Sequence, residues 1–109
     1  MGNNASQNFG QNDAAVVVYS KTTCPYCVKA KNLLDNQKIN YVAHELNKMT
    51  DGAQIAASLR NQTGLNYVPQ IFICGNLVGG FTELQKLQEG GKLREMAEKC
   101  SKTNTARIR

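Results

Sequence analysis

Cys24 and Cys27, separated only by Pro25-Tyr26, follow closely on an apolar, largely β-branched run from Ala15 to Tyr19. No other feature restricts fold and chemistry as much. The run is continuous rather than alternating, so it predicts a short strand buried on both faces, central in a sheet. Pro25 suits a first helical turn, where its missing N–H would have had no intrahelical acceptor. Ala30, Leu33 and Leu34 then continue at helical spacing to about Gln37. The cysteine pair is therefore predicted where a buried strand gives way to a helix N-terminus.

That placement has chemical consequences. A thiolate, not a thiol, attacks a disulfide, so a redox cysteine needs its pKa brought down toward ambient pH. At a helix N-terminus Cys24 would face unpaired backbone N–H groups and the positive end of the helix dipole, with Lys21 adding a nearby positive charge. Cys27, one turn further in on the same face, can reach back to close a disulfide, its own sulfur more covered and less ionised. Cys24 is thus expected to attack and Cys27 to resolve. A structural zinc site would need a second close pair of ligands. Cys74 and Cys100 are far apart in sequence and His44 stands alone, so no metal is expected. A purely structural Cys24–Cys27 disulfide is disfavoured by a reducing compartment.

Further along, Asn40 to Glu45 reads as a second strand and Asp51 to about Gln62 as a second helix carrying Ile55, Ala56 and Leu59, stopped by Thr63-Gly64. Pro69 precedes a strand-like run, QIFIC, and Gly75-Asn76 reads as a two-residue hairpin turn into Leu77-Val78. Gly79-Gly80 breaks the chain, Thr82 is a candidate cap for a helix to about Gln88, and Lys92 to Cys100 forms a last helix after Gly90-Gly91. A βαβ unit followed by a helix, a hairpin and a helix predicts an α/β architecture. It should be a thioredoxin-like fold with a central four-stranded mixed sheet flanked by helices. The domain is expected over 13–101, between an Asn/Gln/Gly-rich flexible tail (1–12) and a basic tail (102–109).

The net charge of +5 owes most to Lys99, Lys102, Arg107 and Arg109; taking those four away leaves +1. A nucleic-acid surface would need basic residues clustered on a folded face with aromatics among them, and the aromatics here are scattered, so no nucleic-acid partner is expected. Neither a membrane-spanning run nor a signal-type N-terminus is present, which points to a cytoplasmic protein. The opening MGNNAS fits an N-myristoylation pattern at Gly2 with Ser6; a single acyl chain binds membranes only marginally, so membrane contact is expected only if Gly2 is lipidated.

Two features complete a candidate site. Beside a C-x-x-C helix start, Pro69 reads as a rigid turn, its isomer left open, that brings the Val68 backbone next to the cysteine sulfur as a strand-like docking edge. Gly79-Gly80, ahead of a helix N-terminus, lets the backbone approach an anionic ligand closely. Glutathione carries two carboxylates, one suited to the Phe81 and Thr82 backbone and the other to Lys21. Cys74 is expected to be a buried small hydrophobe in its strand, Cys100 an exposed inert thiol, and His44 has no assigned role.

The segments K-T-T-C-P-Y-C (21–27), V-P-Q-I-F-I (68–73) and G-G-F-T-E-L (79–84) resemble the dithiol glutaredoxins over about Ala15 to Cys100. Cys-Pro-Tyr-Cys is similar to that family rather than to thioredoxin, which has Gly-Pro between its cysteines. The resemblance implies a glutathione-dependent oxidoreductase that reduces protein disulfides and glutathione mixed disulfides. Cys24 would be the glutathionylated nucleophile and Cys27 the resolving thiol. Lys21 and Tyr26 would contact glutathione, Val68 would pair with its backbone, Pro69 would be a cis-proline, and Gly80, Phe81 and Thr82 would line the same site. Implied partners are glutathione as co-substrate, disulfide-containing or glutathionylated proteins, and glutathione reductase only indirectly through glutathione, with the chain a monomer. The chain departs from the family at Tyr67, where Thr is usual, and at Phe81-Thr82-Glu83, where aspartates are usual. The alternative is a module in which Cys24 from two chains and two glutathiones hold a [2Fe–2S] cluster, a reading that Pro25 disfavours.

Overall fold

A computed structural model describes residues 14–108, with side chains from 14 to 100. The tail expected over 1–12, with its Gly2 pattern, lies outside the described residues. Every residue of β1 (Val16–Ser20) is buried. β2 (Tyr41–Glu45) pairs with it in parallel, β3 (Gln70–Ile73) pairs antiparallel along its other edge, and β4 (Asn76–Gly79) completes the order β2-β1-β3-β4. Helices α1 (Pro25–Asn36), α2 (Gly52–Thr63), α3 (Phe81–Glu89) and α4 (Leu93–Ile108) flank this mixed sheet, with a 3₁₀ turn at Leu46–Lys48. The four-stranded, thioredoxin-like arrangement is the one the sequence implied.

The continuity of the first apolar run has a direct cause. Val16 and Val18, with Ile71 and Ile73 of β3, face Ala30 and Leu34 of α1, Leu84 of α3 and Leu93 of α4. Val17 and Tyr19, with Phe72, face Leu46 and Leu59 of α2. Successive strand residues point to opposite faces, so a strand with a core on each side has no position at which a polar residue is solvated. Each such side chain contributes roughly 1.5–3 kcal/mol through its burial.

Several local expectations are corrected. The hairpin turn is centred on Cys74-Gly75 rather than Gly75-Asn76, with φ of +53° and +83° at those positions and Ile73 facing Asn76 as its last strand pair. Positive φ at both central residues is the requirement of a two-residue type I′ hairpin. Thr82 is not the cap of α3: the helix starts at Phe81 with Gly80 as N-cap, and the cap N–H is taken by the Glu83 carboxylate (Gly80 N to Glu83 Oε1, 2.9 Å). The last helix continues to Ile108 instead of ending near Cys100.

Cys74 and Cys100 are neither a strand hydrophobe and an inert thiol nor independent of each other; they form a disulfide between the β3–β4 turn and α4, with Cα atoms 5.8 Å apart. The turn lifts Cys74 out of the strand while its N–H stays bonded to Ala15 O at 2.7 Å, and α4 passes over it. A cross-link between residues 26 apart removes loop entropy from the unfolded chain equivalent to about 3 kcal/mol. We predict that Cys100→Ser lowers the unfolding free energy in oxidising buffer by about 2–4 kcal/mol. Urea melts of the two proteins measure this, and coincident curves would exclude a stabilising cross-link.

Candidate active site

β1 ends at Ser20 and α1 begins at Pro25, so a four-residue loop carries the first cysteine. The loop is fixed at both ends. Cys24 N–H donates to Lys21 O at 3.1 Å. Thr22 N–H donates to Asn47 Oδ1 at 3.0 Å, and Asn47 Nδ2 donates back to Thr22 Oγ1 at 2.7 Å. Cys24 is the N-cap of α1, and its sulfur accepts the Cys27 N–H at 3.2 Å. A sulfur here fills the place of the usual Ser or Asp oxygen, so negative charge arriving on it meets a helix N-terminal donor.

Cys27, one turn along, is fully buried. Burial above all, and then the hydrogen bond with Cys24, push its thiol up to about 11; burial does so because a thiolate loses its hydration there. Both active-site cysteines are free thiols. The expected asymmetry between an accessible and a covered sulfur is present in the burial of the pair.

The segment before β3 supplies the opposite wall. The Val68–Pro69 peptide is cis, as the resemblance implied, and the Cys24 thiol points to Val68 O at 3.7 Å. Buried Gln70 organises the preceding loop, donating from Nε2 to Leu65 O and Tyr67 O at 3.0 Å each while Thr63 Oγ1 donates to its Oε1 at 3.0 Å. Nothing in the sequence marked Gln70, because a single Gln opening a strand has no distinctive spacing.

Of the predicted ligand contacts, Tyr26, Val68, Pro69, Gly80, Phe81 and Thr82 line one cavity of about 300 Å³, together with Tyr67 and Glu83. Tyr26 and Phe81 form its outer rim, ring centroids 6.1 Å apart, and Lys29 Nζ lies 5.5 Å from the Tyr26 ring centre. A Cβ on Gly80 would approach the Tyr67 ring to 3.3 Å and Pro69 O to 3.5 Å, so glycine keeps the cavity floor open. The α3 N-terminus supplies the Phe81 and Thr82 N–H groups, which no preceding turn can engage.

Lys21 lies apart from these residues. It lines a second cavity of about 150 Å³ with Arg60, Asn66 and Gln70, and Tyr67 and Val68 belong to both cavities. Tyr67, 48% exposed, is the ridge between them. Arg60, in the last turn of α2, was missed by sequence reasoning, since a charged residue on a solvated helix face carries no signal of its own. The two cavities thus offer N–H donors at one end and cations at the other, with the Val68 backbone and the Cys24 sulfur between.

A family model described as Glutaredoxin matches residues 16–78. The chain belongs to the glutaredoxin family. It is 35% identical over 98% of its length to bovine (Bos taurus) mitochondrial glutaredoxin-2, covering 76% of that protein. It is 45% identical over 75% of its length to glutaredoxin-C2 of Arabidopsis thaliana, covering 74% of it. Among solved structures, the buckwheat glutaredoxin–glutathione complex superposes with a TM-score of 0.83 at 36% identity, over 90% of this chain and 88% of that one. This glutaredoxin is a glutathione-dependent thiol–disulfide oxidoreductase.

In the reduced enzyme, iodoacetamide is expected to label Cys24 well before Cys27 between pH 7 and 9. In Cys24→Ser, labelling of Cys27 should climb about ten-fold per pH unit through that range, because its thiolate stays a minority form. Peptide mass mapping distinguishes the sites; equal labelling at pH 8 would contradict the buried, proton-holding state of Cys27.

Proposed function

We propose that Cys24 is the nucleophile and Cys27 the resolving thiol, and that glutathione lies across both cavities. In this reading Cys24 Sγ attacks the disulfide of a glutathionylated protein, taking glutathione as a mixed disulfide and releasing the protein thiol. A second glutathione or Cys27 then breaks the mixed disulfide. The observation that carries the reading is the position of the Cys24 sulfur, at the α1 N-terminus and against Val68 O, between a helix N-terminus and a pair of cations.

The glutathione backbone would pair with Val68 beside the sulfur. Its γ-glutamyl carboxylate suits the Phe81 and Thr82 N–H groups. Its glycine carboxylate suits Lys21 together with Arg60, an addition to the contacts read from sequence. Glu83 is the carboxylate nearest the α3 N-terminus on the cavity wall, so it is the group available to meet the γ-glutamyl ammonium. Tyr26 and Phe81 would flank the peptide. The enzyme is taken to work as a monomer, in the cytoplasm; sedimentation and cell fractionation test these two statements.

A coupled assay with a glutathione mixed disulfide, glutathione, glutathione reductase and NADPH tests the assignment. Cys24→Ser should abolish turnover, and Cys27→Ser should retain it while losing reduction of protein disulfides. Equal loss in both variants would refute the division of roles. Arg60→Ala is expected to raise KM for the glutathionylated substrate about 2–5-fold at low salt, as for a partly solvated charge pair, with the difference shrinking at high salt. An unchanged KM would remove Arg60 from the site.

A further inference from the structure

Resolution by Cys27 requires its proton to leave a fully buried sulfur, and the residues around that sulfur offer a route. Ser20, the last residue of β1, is one of only two polar residues fully buried among the described side chains. Its hydroxyl donates to Glu45 Oε1 at 2.8 Å and also lies within hydrogen-bonding reach of the Cys27 thiol, where it favours the charged form. Glu45 ends β2 and stands opposite Ser20 in the parallel register. Lys31, one helical turn beyond Cys27 on the same face of α1, reaches Glu45 Oε2 at 2.6 Å. The β1–α1–β2 crossover therefore gathers a thiol, a hydroxyl, a carboxylate and an ammonium in a row that starts at the buried sulfur and ends at a carboxylate 22% exposed to solvent.

We propose that Ser20 and Glu45 form a proton relay that deprotonates Cys27 as it resolves the mixed disulfide on Cys24. The Cys27 thiol gives its proton to Ser20 Oγ while the Ser20 hydroxyl gives its own to Glu45 Oε1. The Cys27 sulfur forms the S–S bond to Cys24 Sγ, the bond from Cys24 to glutathione sulfur breaks, and the electron pair leaves on glutathione, which takes a proton from water. Glu45 then returns its proton to solvent. Cys27 and Cys24 end oxidised as a disulfide and glutathione ends reduced, with no outside oxidant. Ser20 touches the reacting sulfur; Glu45 and Lys31 act through it as positioning residues.

The other ionisable groups facing this corner are Asp35 on α1 and Tyr41 on β2. The Tyr41 phenol is raised by burial first and then by Asp35, so it remains protonated across the working pH range. The remaining neighbour of Cys27 is Cys24, which in the mixed disulfide no longer titrates. Glu45 is thus the carboxylate joined to Cys27 through a buried hydroxyl. Without the relay, the proton would have to leave to hydroxide or water entering a packed site.

The inference rests on Cys27 being the resolving thiol, and the test separates the two ideas. Reduced enzyme is mixed with excess glutathione disulfide and quenched at intervals for mass spectrometry. A first phase adds glutathione to Cys24, and a second expels it as the Cys24–Cys27 disulfide forms. In Glu45→Gln and in Ser20→Ala the second phase is expected to slow about ten-fold or more relative to the first, the scale of lost general-base assistance. Its rate should also rise about ten-fold per pH unit through pH 6–9, as for hydroxide-driven deprotonation, with Glu45→Asp restoring part of the rate and flattening the profile. A second phase in both variants with wild-type rate and pH profile would overturn the relay. So would equal slowing of both phases with no change in profile, which would mark a structural role only. Failure of the wild type to show a second phase would overturn the resolving role of Cys27 and the relay with it.

Discussion

The burial of β1 on both faces is the constraint from which the rest follows. A strand without a solvated side must be paired on both edges and covered on both faces, and β2, β3, the three helices of one face and α2 on the other meet that demand. Because its residues are fixed from every direction, the strand delivers its C-terminal end to a defined point. Ser20 marks that point and Cys24 follows within one short loop tied to Asn47. The chemistry is placed by packing that contains no reactive group.

From that point the local electrostatics separate two chemically identical side chains. Cys24, at the helix start, faces backbone N–H groups and the cleft. Cys27, one turn along, is enclosed, and desolvation disfavours its thiolate. An accessible sulfur suited to attack next to a covered one suited to wait is a consequence of the α-helical pitch acting at the boundary of the core. The opposite wall comes from the loop before β3, which Gln70 holds through backbone carbonyls, and from the α3 N-terminus, where Gly80 leaves room for a ligand.

Much of this was legible in the sequence because the signals were local. The continuous AVVVY run, the Pro25 helix start and the Gly64 stop each read out an element through its own few residues, and the C-x-x-C spacing located the thiols without knowledge of the fold. The errors concern relationships across distance or competition between neighbours. Cys74 and Cys100 pair because a turn one residue earlier than expected rotates Cys74 toward α4, a placement that spacing alone does not encode. Thr82 looked like a cap, yet the Glu83 side chain reaches the Gly80 N–H and the helix begins one residue sooner. Arg60 and Gln70 were invisible for the same reason: their roles come from what the fold sets beside them. Lys21 was correctly picked out, but the ridge formed by Tyr67 divides its cavity from that of the α3 N-terminus.

The central claim is that a glutathionyl group on Cys24 spans from the α3 N-terminus to the cation pair. Amide ¹H–¹⁵N spectra of Cys27→Ser, recorded before and after Cys24 is converted to its glutathione mixed disulfide, test it most directly. The account predicts that the largest shifts fall on Val68, Phe81 and Thr82 and on the α2 end around Arg60, while the Cys74 turn at the far end of the sheet stays in place. Shifts confined to α1, with the Val68, Phe81 and Thr82 amides unmoved, would contradict it.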